Sequence, residues 1–100
     1  MVELGGNIEL VGFEEIDGGS MIVVKKVVGN YAKKFSEICK QFQNLKVTLK
    51  KVHEREKSEK YELQGKLVND GKVFNSEMTD MNLFFALDKI LKAMETEVKK

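Results

Sequence analysis

The chain is poor in the residues on which cross-linked and multidomain proteins depend. It has one cysteine and no proline among its 100 residues. A single cysteine cannot form an internal disulfide, which fits a reducing compartment such as the cytosol. Because no linker rich in proline or serine and no internal repeat interrupts the sequence, we predict one domain, residues 1–100.

Long apolar runs are missing as well. The longest uncharged apolar stretch is residues 21–24, whereas a membrane span needs roughly 20 such residues. The first residues also lack the basic and then apolar pattern of a secretion signal. We therefore expect a cytoplasmic protein that makes no use of a membrane.

Signatures of catalysis are equally scarce. The single histidine, His53, lies in a charged segment typical of a solvated loop. Cys39 falls in an apolar helical pattern and has neither a partner histidine nor metal-ligand spacing, so we expect a small core side chain. No glycine-rich nucleotide loop is present. We expect no enzyme activity, no metal, no cofactor and no small-molecule substrate.

Charge is distributed unevenly along the chain, although the net charge is only +1. Residues 1–24 hold five acids and no base, whereas residues 25–60 hold eleven bases against four acids, a net charge of +7. Such asymmetry indicates an anionic partner for one face of the domain. The competing interpretation is an ordinary surface, rich in lysine and glutamate, whose charges are unevenly scattered.

A first helix is predicted over residues 20–42. Its apolar residues recur every three or four positions and share one face: Val24, Val27, Val28, Tyr31, Phe35, Ile38, Cys39 and Phe42. An alternative remains open, because residues 21–28 are rich in β-branched side chains and are followed by Gly29 and Asn30. They could form a strand that pairs with residues 8–13.

Alternating apolar residues predict four strands around this helix. The first covers residues 8–13; the next two centre on Val47 and Leu63 and are separated by a charged turn at residues 53–58. The sequence Asn69-Asp70-Gly71 is a tight-turn signal, after which residues 73–78 form a further strand.

The closing helix is predicted from Thr79 or Asp80, either of which can cap it, to the C-terminus. The order is then β-α-β-β-β-α. Two amphipathic helices need one sheet face to bury their apolar stripes. The predicted fold is therefore an α+β two-layer sandwich, with a mostly antiparallel four-stranded sheet and two helices on one face.

Lysines on the first helix are the main candidates for a binding site. Lys26, Lys33 and Lys40 lie opposite the apolar stripe at seven-residue spacing, and Lys25 and Lys34 flank them. Together they would cover roughly 20 Å of helix and could neutralise phosphates of a nucleic-acid backbone without reading its sequence. A solvated helix face is the competing interpretation.

Two further lysines, Lys46 and Lys50, lie on the outward side of the second predicted strand. They extend the basic field only if that strand lies beside the helix. Aromatic side chains do not interleave with the lysines, so stacking of single-stranded bases is not indicated, and structured RNA fits better.

Phe85 lies opposite the apolar stripe of the last helix, beside Lys89 and Lys92. An exposed phenylalanine there indicates contact with a partner protein or a second copy of the chain. The alternative is that Phe85 tucks against the end of the preceding strand.

The order of elements and residues 79–91, Thr-Asp-Met-Asn-Leu-Phe-Phe-Ala-Leu-Asp-Lys-Ile-Leu, resemble the ribosome hibernation-promoting factors, or ribosome-associated translation inhibitors. The likeness lies in an acidic residue and methionine, Asp80 and Met81, opening the last helix, and in the stretch from Ala86 to Ile90 inside it. The resemblance implies a cytosolic protein that binds the small ribosomal subunit in the mRNA and tRNA channel through basic residues of both helices.

Two hypotheses about function follow. The first is a non-catalytic module bound to ribosomal or structured RNA, acting in translation regulation at the small subunit. The second is a protein-interaction or self-assembling module, such as a homodimer, that uses the open sheet face or edge, with Ile22, Val23 and Phe85 as exposed apolar anchors.

Overall fold

The structure is a computed structural model that describes residues 2–3, 7–55 and 58–99, and these form a sheet with two helices. The strands are β1 (Val2–Glu3), β2 (Ile8–Val11), β3 (Phe42–Arg55), β4 (Ser58–Asn69) and β5 (Lys72–Asp80), and the helices are α1 (Gly18–Ile38) and α2 (Leu83–Lys99).

The strands lie side by side in chain order, from β1 to β5. Among the described strands only β2 and β3 are parallel, with Leu10 opposite Val47, and α1 is the long connection that parallel neighbours require. The other pairs are antiparallel. The predicted α+β fold and the order β-α-β-β-β-α are confirmed. The two-residue β1, which the sequence pattern did not predict, adds a short fifth strand.

Residues 21–28 are helical, so the alternative of a strand in this segment is wrong. Helix α1 begins after Asp17, whose side chain accepts a hydrogen bond from the backbone N–H of Ser20 at 3.0 Å. It ends before Cys39, which is extended and donates its N–H to the carbonyl of Phe35. This cap closes the helix four residues earlier than predicted.

Phe42 belongs to β3 and not to the helix. Its ring lies 6.2 Å from that of Phe35, centroid to centroid, because the chain turns back after α1. The match of Phe42 to the helical period therefore reflects packing across a turn. Lys40 lies in this turn, so the predicted helical row of Lys26, Lys33 and Lys40 is shortened to its first two members.

The hairpin of β3 and β4 is longer than its sequence indicated. The predicted turn at residues 53–58 is mostly strand: His53 is opposite Glu59 and Arg55 is opposite Ser58, and the tip at residues 56–57 lies outside the described residues. The next hairpin confirms its turn signal, since Asp70 and Gly71 adopt φ of 51° and 78°. Positive φ at both central residues matches the twist of the flanking strands.

Helix α2 begins three residues after Asp80, and its cap is Asn82. The side-chain oxygen of Asn82 accepts hydrogen bonds from the N–H groups of Phe84 and Phe85 at 2.9 and 3.1 Å. The two predicted caps, Thr79 and Asp80, close β5 instead. Asp80 supports the cap indirectly, because its carboxylate accepts the N–H of Asn82 at 2.9 Å.

The core lies between the helices and one face of the sheet. Leu45, Val47 and Leu49 of β3 are buried there, together with helical side chains such as Val28 and Ile90. Since side chains alternate along a strand, the residues between them face the other way and leave that side of the sheet open. In the described part of the chain no helix has the length and apolar character of a membrane span.

Candidate nucleic-acid interface

Helix α1 presents lysines on the side that faces away from the sheet. Val24 and Val28 are fully buried, whereas Lys26 and Lys33 are exposed. Lys33 follows Val24 by nine residues, which is two and a half helical turns and so places it on the opposite side. The two lysines lie about 10 Å apart along the axis, at 1.5 Å per residue. Burial of the valines thus dictates the exposure of the lysines.

Lys25 and Lys34 lie on opposite flanks of this row, and both are exposed. The ammonium of Lys34 lies 5.0 Å from the centroid of the Tyr31 ring, within the range of a cation–π contact. This contact holds the lysine toward α2. We call Lys25, Lys26, Lys33 and Lys34 the α1 lysine face.

A groove of about 570 Å³ runs between the two helices, beside the α1 lysine face. Two residues that line the groove join the helices: the hydroxyl of Tyr31 on α1 donates a hydrogen bond to the carboxylate of Asp88 on α2 at 3.1 Å. Burial, reinforced by the Asp88 carboxylate, raises the pKa of Tyr31 to about 12, so the phenol remains a donor at neutral pH. Lys33 and Lys34 line one wall of the groove. Glu37 and Asp88 also line the groove, so it carries charges of both signs. The α1 lysine face is therefore more basic than the groove beside it.

The exposed side of α2 carries apolar and basic side chains together. Phe85 is 63% exposed, so it does not tuck against β5, and a partner could reach it. Lys89 and Lys92 are exposed near it, and Lys89 forms an ion pair with Asp80 at 3.2 Å. Neither lysine was among the predicted binding residues. The signal was present, because both fall opposite the apolar stripe of α2, as Phe85 does.

The other apolar anchors predicted from sequence are exposed as well. Ile22 is 70% and Val23 is 42% exposed on the first turns of α1. They belong to the helical layer, as Phe85 does, and not to the open face or edge of the sheet. The anchors and the sheet surfaces named in the second hypothesis are therefore separate places on the molecule.

The remaining predicted lysines do not join the α1 lysine face. Lys40 is exposed in the turn after α1. Lys46 and Lys50 lie on the open side of β3, a central strand whose other side packs against the helices. The condition for adding their charge to that of α1, a strand lying beside the helix, is not met. Helix and sheet lysines therefore form two surfaces on opposite sides of the sandwich.

The open sheet face has a charge pattern of its own. Lys46 lies directly opposite Lys66 on β4 and next to Glu9 on β2, while Lys50 is opposite Glu62. Like charges directly opposite each other in a sheet are destabilising, and opposite charges stabilise. The face combines one repulsive pair with attractive ones.

In the described residues the side chains that commonly bind metals lie apart from one another, and the thiol is shielded from solvent. Within those ranges no three histidine, cysteine, aspartate or glutamate side chains lie close enough to hold a metal ion. Cys39 is buried, and burial raises the pKa of its thiol, which disfavours the reactive thiolate. Its predicted place in the core is confirmed.

Comparison with known proteins reaches the fold level. No protein-family model and no curated protein matches the sequence. Among solved structures, the Protein Y N-terminal domain of Thermus thermophilus superposes with a TM-score of 0.64 at 16% identity, covering 94% of this chain and 97% of that one. A ribosomal subunit interface protein from Coxiella burnetii superposes with a TM-score of 0.59 at 14% identity, covering 92% and 90%. At such identities the likeness establishes a shared fold.

Proposed function

We propose that this domain is a non-catalytic, cytoplasmic RNA-binding module that associates with the ribosome through the α1 lysine face. One observation carries the proposal: α1 exposes Lys26 and Lys33 on the side away from its buried valines, has Lys25 and Lys34 on the two flanks of that side, and carries a single acid, Glu37. An elongated row of lysines on a rigid helix is suited to contact successive phosphates of a nucleic-acid backbone.

Two further observations support a ribosomal partner. The neighbours in fold include a protein named for the ribosomal subunit interface, and their similarity extends over nearly the whole chain. The start of α2 and the stretch from Ala86 to Ile90 also resemble the hibernation-promoting factors, whose members bind the small subunit. By this analogy the domain blocks translation at that subunit by occupying a binding site, without chemistry.

The two helices would share the contact. Lys92 and Phe85 of α2 are exposed opposite the apolar stripe of that helix, so they lie on the outer side of the helical layer, whereas the Lys89 ammonium is paired with Asp80 at the end of β5. Contacts between lysines of the two helices and phosphates do not depend on base sequence, and they weaken as the salt concentration rises. Lys40 extends the layer at the end of α1. Lys46 and Lys50, on the opposite side, can add to affinity only where RNA also reaches the open sheet face.

Co-sedimentation with ribosomal subunits across a series of salt concentrations tests the proposal. The unmodified chain is expected to sediment with the ribosomal subunits at low salt and to be released as the salt concentration rises. Each phosphate contact contributes roughly one to the slope of log affinity against log salt, so Lys26→Glu with Lys33→Glu should lower that slope by about two. The same variant should lose inhibition in a cell-free translation assay.

The matched control is Lys46→Glu with Lys50→Glu, which changes net charge equally on the other side of the sandwich. It should retain most of the binding if the helical layer makes the contact. Equal losses in the two variants would contradict the assignment to α1. Absence of the unmodified chain from the pellet at low salt would contradict an association with ribosomes altogether.

A further inference from the structure

Strand β5 forms a long free edge of the sheet. It spans nine residues, Lys72–Asp80, and all nine are paired with β4 in one uninterrupted antiparallel register. In the described strands the sheet ends at β5 on this side and at the two-residue β1 on the other. An edge strand presents a row of unpaired backbone N–H and C=O groups, and a longer strand presents more of them.

The usual protections of an edge are sparse along β5. Proteins commonly blunt a long edge with proline, with a bulge or with several charged side chains. The chain contains no proline, the β4–β5 pairing has no bulge, and only Lys72, Glu77 and Asp80 carry charge in the strand. An indentation of about 280 Å³, lined by β5 residues and by Ala93 and Glu97 of α2, opens along this edge. The edge is therefore accessible.

The sequence of β5 is complementary to itself when reversed. We infer that a second copy of this chain pairs its β5 strand antiparallel to the first, with the two-fold axis at Ser76, to give one continuous sheet. Lys72 then faces Asp80 of the other copy, Phe74 faces Met78, and Asn75 faces Glu77. Each of these pairs joins opposite charges, two apolar side chains or a hydrogen-bonding couple, the combinations that stabilise neighbouring strands.

Moving the two-fold axis by one residue in either direction removes these favourable side-chain pairs. An axis at Asn75 places Lys72 opposite Met78 and Val73 opposite Glu77. An axis at Glu77 places the two Glu77 carboxylates opposite each other and Phe74 opposite Asp80. Both alternatives pair charges with apolar groups or with like charges, so the Ser76 register is selected.

Helix α2 has charges that fit the same symmetry. Lys89 lies at the Asp80 end of β5, where it forms its ion pair, and Glu97 lines the indentation near Val73 at the other end. Antiparallel pairing of the strands brings the Lys89 end of one copy toward the Glu97 end of the other. The small Ala93 lies between these ends and leaves room where the two helices approach.

This interface is independent of the proposed ribosomal contact. It uses the β5 edge and the side of α2 next to that edge, with Lys89 and Glu97, whereas the α1 lysine face lies on the other helix. It also places the second copy on a surface with none of the predicted apolar anchors Ile22, Val23 and Phe85. A failure of either proposal therefore leaves the other untouched.

Sedimentation equilibrium of the full chain without RNA tests the inference. The mass should rise with concentration from 11.4 kDa toward twice that value. Substitution at Asn75, an exposed position, gives two opposed variants. Asn75→Glu creates two like-charge pairs with Glu77 of the other copy and should weaken the dimer by about fivefold, while Asn75→Lys should tighten it by about fivefold.

These variants have a built-in control for stability. Within one chain Asn75 lies opposite Lys66, so Asn75→Glu adds an attraction and Asn75→Lys a repulsion. Stability of the monomer should thus change in the direction opposite to dimer affinity, and urea unfolding measures it. A mass of 11.4 kDa at every concentration up to about 1 mM, or affinities that are equal or follow monomer stability, would overturn the inference.

Discussion

Gly12 connects the end of β2 to the core residue Phe13 through a backbone conformation that other residues avoid. Its φ is +84°, and a Cβ placed there would collide with the carbonyl oxygen of Leu49 on the neighbouring strand. Neither the backbone of β3 nor the turn has freedom to move away, because Phe13 and Leu49 are both buried. Close approach and positive φ together therefore require glycine.

We predict that Gly12→Ala lowers the free energy of unfolding by about 2–3 kcal/mol, because it adds a steric collision to left-handed backbone strain. Gly29→Ala is the control. Gly29 is an exposed residue inside α1 with nothing within 4 Å of its would-be Cβ, so alanine there should stabilise by about 0.5–1 kcal/mol. Urea unfolding measures both, and a shift of the same sign in the two variants would contradict this account.

Cap residues show a limit of sequence interpretation at this scale. Thr79, Asp80 and Asn82 are all good helix caps by residue type, and the choice among them depends on where β5 stops. Pairing of Asp80 with Tyr61 on β4 extends the strand to that point, and Asn82 is left to cap α2. Local propensity could predict that a cap exists here, but not which residue provides it.

The Asp17 cap makes the stability of helix α1 depend on pH. The backbone N–H of Ser20 holds the pKa of the Asp17 carboxyl below its usual value. A carboxyl whose pKa is lower in the folded than in the unfolded chain contributes stability above its unfolded pKa and loses it as pH falls through the folded value. Protonation therefore weakens the cap in acid.

We predict that Asp17→Asn reduces the dependence of unfolding free energy on pH below about pH 4, because asparagine keeps the capping oxygen and cannot titrate. At neutral pH the variant should remain folded with α1 intact by circular dichroism. Urea unfolding measured between neutral and acidic pH checks the result. An unchanged acid dependence would show that Asp17 does not contribute to it.

Element boundaries were the weakest part of the sequence interpretation, and the reasons are physical. The apolar stripe of α1 continued to Phe42 because a tight turn after Cys39 returns Phe42 to the ring of Phe35. The charges at residues 53–58 indicated a turn, although residues 53–55 and 58 belong to two paired strands. Period and composition report which side a residue faces more reliably than where an element ends.

At the scale of the whole molecule, the alternation of apolar and basic residues in β3 was sufficient to separate two surfaces. Leu45, Val47 and Leu49 face the helices, so Lys46 and Lys50 must face away from them. What the pattern could not supply was the place of β3 in the centre of the sheet, which depends on the parallel pairing with β2. The fold was therefore predictable, but the grouping of the lysines required strand order.

Because the two surfaces are separate, the stability of the open face can be altered without changing the α1 lysine face, to which the RNA contact is proposed. We predict that Lys66→Glu raises the free energy of unfolding by about 0.5 kcal/mol, because it replaces the repulsion between Lys66 and Lys46 by an attraction. Lys46 then lies between two acids, residue 66 on β4 and Glu9 on β2. Lys50→Glu should lower the free energy of unfolding by a similar amount, since it places two acids opposite each other at Glu62. Both shifts should shrink at about 1 M salt, where exposed charges are screened.

Urea unfolding at low and high salt measures these shifts, and ribosome co-sedimentation of the same variants completes the test. Because the charges of the open face lie across the sandwich from the α1 lysine face, Lys66→Glu should be retained by ribosomes far better than Lys26→Glu with Lys33→Glu. If Lys66→Glu gained stability yet lost ribosome binding as fully as the α1 variant, RNA would have to contact both layers. The assignment of the contact to the helices alone would then be wrong.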